Sequence, residues 1–84
     1  MIVHARGAIT DPSLLGPYVD DEIRVVDELK AEGVIKAAYR RAAGPGVYLI
    51  LEGPSLQAVQ ERMETLPFLV EGLMALDYDE IYEI

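Results

Sequence analysis

Along this chain the apolar residues switch repeatedly between a spacing of two and a spacing of three to four, and each switch falls beside glycine or proline. Ile2 to Ile9 alternates, with Val3, Ala5 and Ile9 on one face and His4, Arg6 and Ala8 on the other, as in a half-buried strand. Asp11-Pro12 and Gly16-Pro17 then supply turn chemistry. From Tyr18 the period lengthens: Val19, Ile23, Val26 and Leu29 recur at helical spacing. Asp20, Asp21 and Glu22 sit near the positive end of that helix dipole. Gly33 is placed to end the helix as a left-handed cap. Val34 to Ala42 reads as a second strand, Gly44-Pro45-Gly46 as a turn, and Val47 to Glu52 as a third strand. A short glycine-containing connection between strands predicts an antiparallel hairpin. Ser55 is a good N-cap for a second helix with Leu56, Val59, Met63 and Leu66 as its buried stripe, and Pro67 ends it. Gly72 starts the last strand, Leu73 to Ile84.

The resulting order, β-α-β-β-α-β, predicts a ferredoxin-like α+β fold: a four-stranded antiparallel sheet with two helices on one face. No internal repeat or linker interrupts it, so residues 1–84 read as one domain. A chain this short buries only roughly 60–65% of its unfolded surface, and the helices leave one sheet face bare. A second copy closing that face, with a cavity enclosed between sheets or between sheet and loops, is the physical expectation.

Charge and composition narrow the function. Fifteen acidic and seven basic residues give a net charge of −8, which repels phosphate backbones and anionic lipid. Neither nucleic acid nor membrane is therefore expected as a partner. Without cysteine there is no disulfide, thiol chemistry or cysteine-based metal site, and a single histidine excludes a histidine cluster within one chain. The start MIVHARG is strand-like rather than a basic segment followed by an apolar run, and no long apolar span occurs, so a cytoplasmic protein is expected.

Several short matches together resemble a known family. They are MIVHAR at the start, LKAEG over 29–33, Tyr39-Arg40, Tyr48, Glu52 to Ser55, Ala58 and Leu66-Pro67. In these the chain resembles muconolactone Δ-isomerase and its relatives in the dimeric α+β barrel superfamily. The resemblance implies an isomerase that shifts a double bond in a small lactone by proton transfer, with no cofactor and no metal. It also implies a homodimer, or a larger ring built from dimers. Of the adjacent arginines, Arg40 lines up with the family, as a clamp for a substrate carboxylate or as an ion-pair partner; Arg41 stands where the isomerases carry an apolar residue. His4 becomes the candidate proton carrier, with Arg6 holding an anion or keeping the imidazole neutral. Tyr39 and Tyr48 are candidates for the cavity wall. His4 and Arg6 share one face of the first strand and Arg40 comes from the next strand-forming segment, so all three could meet in one cavity, with the choice of Arg40 or Arg41 as the cavity-facing arginine left open.

Bland readings stand beside these. A lone histidine serves as well in an interface, strand tyrosines are often packing residues, and arginines in an acidic chain form ordinary ion pairs. The chain also departs from the family after Leu66-Pro67. Leu73 and Ala75 stand where acids would be expected, which leaves Glu71 in the adjacent loop as a second candidate for proton transfer. Those replacements fit two alternatives: a non-catalytic small-molecule-binding or assembly module, and a cofactor-free oxygenase or cyclase acting on an aromatic or polyketide-like compound. The tail DYDEIYEI reads as a solvated edge strand or an arm for assembly.

Overall fold

The computed structural model describes residues 1–84. Four strands, β1 (Ile2–Ile9), β2 (Ile35–Arg40), β3 (Val47–Glu52) and β4 (Met74–Ile81), form one sheet in the order β2-β3-β1-β4. Every neighbouring pair is antiparallel, as the predicted ferredoxin-like order requires. Helix α1 (Val19–Ala31) connects β1 to β2. Helices α2 (Leu56–Met63) and α3 (Pro67–Val70) connect β3 to β4, and two 3-10 turns at Pro12–Leu14 and Gly16–Tyr18 lead into α1. The core lies between helices and sheet: Val3, Leu49 and Leu51 from the strands are sealed by Leu29 of α1 and by Val59 and Met63 of α2.

Both helix ends foreseen from glycine and serine chemistry are present. Gly33 has φ +80°, its N–H donates to Lys30 and the Val34 N–H donates to Leu29, the paired bonds of a Schellman cap. Ser55 Oγ accepts the Ala58 N–H at 3.1 Å.

Four boundaries or faces differ from expectation. The second strand ends at Arg40 rather than Ala42, because the Arg41 N–H already donates to Gly46 across the hairpin loop. The last strand spans Met74–Ile81, leaving Tyr82 to Ile84 beyond it. Helix α2 stops at Met63, short of Pro67, and Pro67 instead opens α3, since its missing N–H and fixed φ suit the first helical position. Helix α1 also turns a different face inward: Glu22, Val25 and Leu29 are buried, while Ile23 is 55% exposed. Residues 22, 25, 26 and 29 share a helical face as well as the predicted set does, and the sheet selects theirs.

Candidate functional site

Rotating α1 this way brings a carboxylate into an apolar wall. Glu22 is buried to 8% exposure and forms no ion pair. Its Oε1 accepts the Phe68 N–H, at the start of α3, at 2.9 Å. Burial pushes its carboxyl above the ordinary range, and that hydrogen bond offsets only part of the rise. It borders a cavity of about 240 Å³ between the helices and the inner sheet face. Val26 of α1, Leu49 of β3, Met74 of β4 and Leu66 form much of the wall, and ten of the twelve lining residues are hydrophobic. A second hollow of about 360 Å³ adjoins it beneath the 3-10 turns and the Gly44-Pro45-Gly46 loop.

Arg40 borders both spaces, and a register shift in β2 puts it there. Ile35 pairs with Leu51, but Ala37 pairs with Ile50, so Lys36 is a bulge. Beyond the bulge Ala38 lies across from buried Leu49 and Arg40 across from Val47, on the helix side. Strict alternation from Ile35 would have put Ala37, Tyr39 and Arg41 on that side instead. Arg40 and Arg41 have no acidic partner, although acids outnumber bases about two to one. Tyr39 is 62% exposed, lies across from Tyr48, and contributes to the cavity rim.

The expected meeting of His4, Arg6 and Arg40 does not occur. His4 and Arg6 alternate with buried Val3, Ala5 and Gly7, so they point to the helix-free face, away from Arg40. There His4 and Tyr48 place their rings 6.1 Å apart. With Arg6, Asp77 and Asp79 they border an open depression of about 390 Å³. Arg6 reaches Asp77 at 3.8 Å, both side chains well exposed, an arrangement worth little energetically. Glu71 is exposed after α3 and borders neither hollow on the helix side. Leu73 is buried in the core, and Ala75 pairs with Ala8 on the helix-free face. Glu22 is thus the residue that sequence reading assigned to the helix dipole and the fold placed in a cavity. Its one signal was an acid at the apolar spacing of Val25, Val26 and Leu29.

No family model matches the chain, and no curated protein matches it in sequence. Solved structures match it in fold. The crystal structure of muconolactone isomerase superposes over 100% of this chain and 91% of its own, with a TM-score of 0.80 and 21% identity. The chain has the muconolactone isomerase fold. The 5-chloro-2-hydroxyhydroquinone dehydrochlorinase of Burkholderia phenoliruptrix, bound to 2,5-dihydroxybenzoquinone, covers 98% of this chain and 94% of its own, at TM-score 0.74 and 22% identity. A protein of Deinococcus radiodurans assigned as an antibiotic biosynthesis monooxygenase covers 100% and 95%, at 0.59 and 9%. The likeness read from MIVHAR, LKAEG and Tyr39-Arg40 is therefore matched by the architecture. At these identities the muconolactone isomerase fold is shared, and one fold hosts many chemistries.

Proposed function

We propose that this protein catalyses proton transfer at an acidic carbon of a small lactone or related carbonyl compound, with Glu22 as the proton carrier. The observation that carries this reading is a buried carboxyl, held above its usual value by desolvation, bordering an apolar cavity whose lining also includes an arginine without an acidic partner. A carboxyl raised toward working pH is a better general base and returns the proton more readily. Ionised Glu22 would take a proton from the carbon next to the carbonyl, leaving an enolate. Returning that proton at a carbon further along the conjugated system shifts the double bond. Arg40 would hold the substrate's anionic group, for which a guanidinium offers paired donors. The shared fold lends support, since its other bearers include an isomerase and a dehydrochlorinase. Loss of HCl from carbon also demands removal of a proton.

A second reading uses the other face. His4 is half-buried beside Tyr48, and a second copy laid over the sheet would enclose their depression. His4 would then move the proton and Arg6 would hold the anion.

One experiment separates the two. Deuterium exchange at the ring carbons of a panel of butenolide carboxylates is followed by NMR in the parent, Glu22→Gln and His4→Ala. The first reading expects Glu22→Gln to slow exchange on the order of 10²–10⁴-fold and His4→Ala to change it little. The reverse pattern selects the second. Exchange in no compound with the parent protein would leave a binding module. For Arg40→Met, weaker binding of carboxylates than of their uncharged esters is expected, read as a rise in KM with kcat less affected.

A further inference from the structure

The two spaces on the helix side share five lining residues: Ile9, Glu22, Arg40, Val47 and Phe68. Glu22 and Arg40, which form no ion pair with each other, therefore stand at the waist where the two compartments meet rather than at the end of one. The compartments differ in character. The inner one is walled mostly by hydrophobic side chains, with exposed Ala38, Tyr39 and Arg40 at its rim along β2, and offers few polar groups besides Glu22 and Arg40. The outer one opens under Pro12, Leu15 and the Gly44-Pro45-Gly46 loop, and half of its lining is polar or glycine and proline.

We infer that the substrate has two parts: an enolisable carboxylate unit at the waist and an apolar aryl or alkyl arm in the inner compartment. This rests on the Glu22 reading above and adds the substrate class to it. The polar unit cannot lie wholly inside, because its carboxylate and carbonyl would lose water without enough partners among the aliphatic walls. It stays where Arg40, Glu22 and solvent are all within reach. The inner space then needs an apolar occupant. A cavity of roughly 150 Å³ lined by Leu, Ile and Phe holds benzene, so about 240 Å³ has room for a phenyl group or a hexyl chain. A bare butenolide would leave that space without a partner and forgo the attraction of the walls. The charge pattern points the same way: the one cation bordering the inner compartment also borders the outer one, so an anionic group has no reason to go deeper.

The test uses butenolide carboxylates bearing hydrogen, methyl, propyl, hexyl or phenyl arms. Dissociation constants are measured by calorimetry, and ring-carbon exchange is measured separately by NMR. Affinity is expected to rise about threefold to fourfold per methylene until the compartment is full, and then to stop rising. Val26 faces the inner compartment and not the outer one. Val26→Phe should move the best arm length down, and Val26→Ala should move it up. Opposite shifts are not produced by a general loss of stability, and Val26→Ala decides alone if Val26→Phe does not fold. Affinity that ignores arm length in the parent overturns the inference, as does an optimum unmoved by Val26→Ala. Glu22-dependent exchange of the bare ring with no gain from any arm would sink the two-part substrate and keep the proton-transfer reading. A clear arm optimum with no exchange in any compound would do the opposite.

Discussion

Glu22 couples the candidate chemistry to stability, and the sign of the coupling is fixed by its burial. Its carboxyl sits above the ordinary 4.5 chiefly through desolvation, so the folded chain binds this proton more tightly than the unfolded chain. Its contribution to stability is then full below the unfolded value and is lost as pH rises through the folded one. Glu22→Gln keeps an acceptor for the Phe68 N–H and removes the buried charge. The variant should melt higher than the parent at pH 8, with the gap closing toward pH 4; equal gaps at both would show that Glu22 carries no buried charge. Tyr78 is the other unusual group. Its hydroxyl is buried without a protein hydrogen-bond partner, and burial, with a smaller push from Glu64, drives its pKa up to about 12. Removing an unsatisfied hydroxyl costs little, so Tyr78→Phe should leave stability unchanged or raise it by up to about 1 kcal/mol in urea titrations. A clear loss would reveal a partner for that oxygen. Apart from the spacing that Glu22 shares with Val25, Val26 and Leu29, neither residue was marked out in the sequence. Glu22 looked like one of three acids in a first helical turn, and Tyr78 like one of several tyrosines among acids.

At the scale of elements, local chemistry was readable and rotation was not. Gly33 and the turn glycines act through their own backbone and Ser55 through its hydroxyl on the Ala58 N–H three residues on, so their roles follow from residue type and position. Gly33→Val forces a β-branched side chain into the left-handed region and should destabilise the fold by roughly 1 kcal/mol or more. An unchanged melting temperature would place the cap elsewhere. The inward face of α1, by contrast, was a choice between two stripes one residue apart, and only the shape of the sheet beneath decides it. The β2 bulge is similar. Nothing in Ile35-Lys36-Ala37 marks an extra residue, yet that single insertion puts Arg40 rather than Arg41 on the cavity side. A bulge sits well beside a site, because one extra residue and a local bend exchange the faces of all the residues that follow it. Arg41 is left at the mouth of the hairpin loop, where its N–H closes the turn.

For the whole molecule, the unresolved physical problem is the bare sheet face. The helices cover one side only, and the other carries Ile2, Ile50, Tyr48 and Tyr39 along the β1–β3–β2 half. Tyr39 and Tyr48 remain 62% and 37% exposed. Toward β4 the same face becomes polar, with Arg6 across from Asp77 and His4 across from Asp79. An apolar stripe bordered by opposite charges is the composition of an interface: an aromatic centre, a polar rim and little isolated charge at the middle. A two-fold partner would bring the same patch against itself, which suits a surface that carries both signs. We therefore expect a homodimer at micromolar concentration, formed through the helix-free face. Light scattering should give twice the 9.3 kDa of one chain, or a multiple of that dimer. Ile50→Glu places a charge within the stripe without touching the helix-side core. It should shift the equilibrium toward monomer by tenfold or more, roughly the 1.4 kcal/mol that one desolvated charge readily exceeds. Glu52→Ala, at the rim of the same strand, should shift it far less. A folded parent that stays monomeric across this range, or an Ile50→Glu protein that dimerises as the parent does, would show that the face is covered by something else.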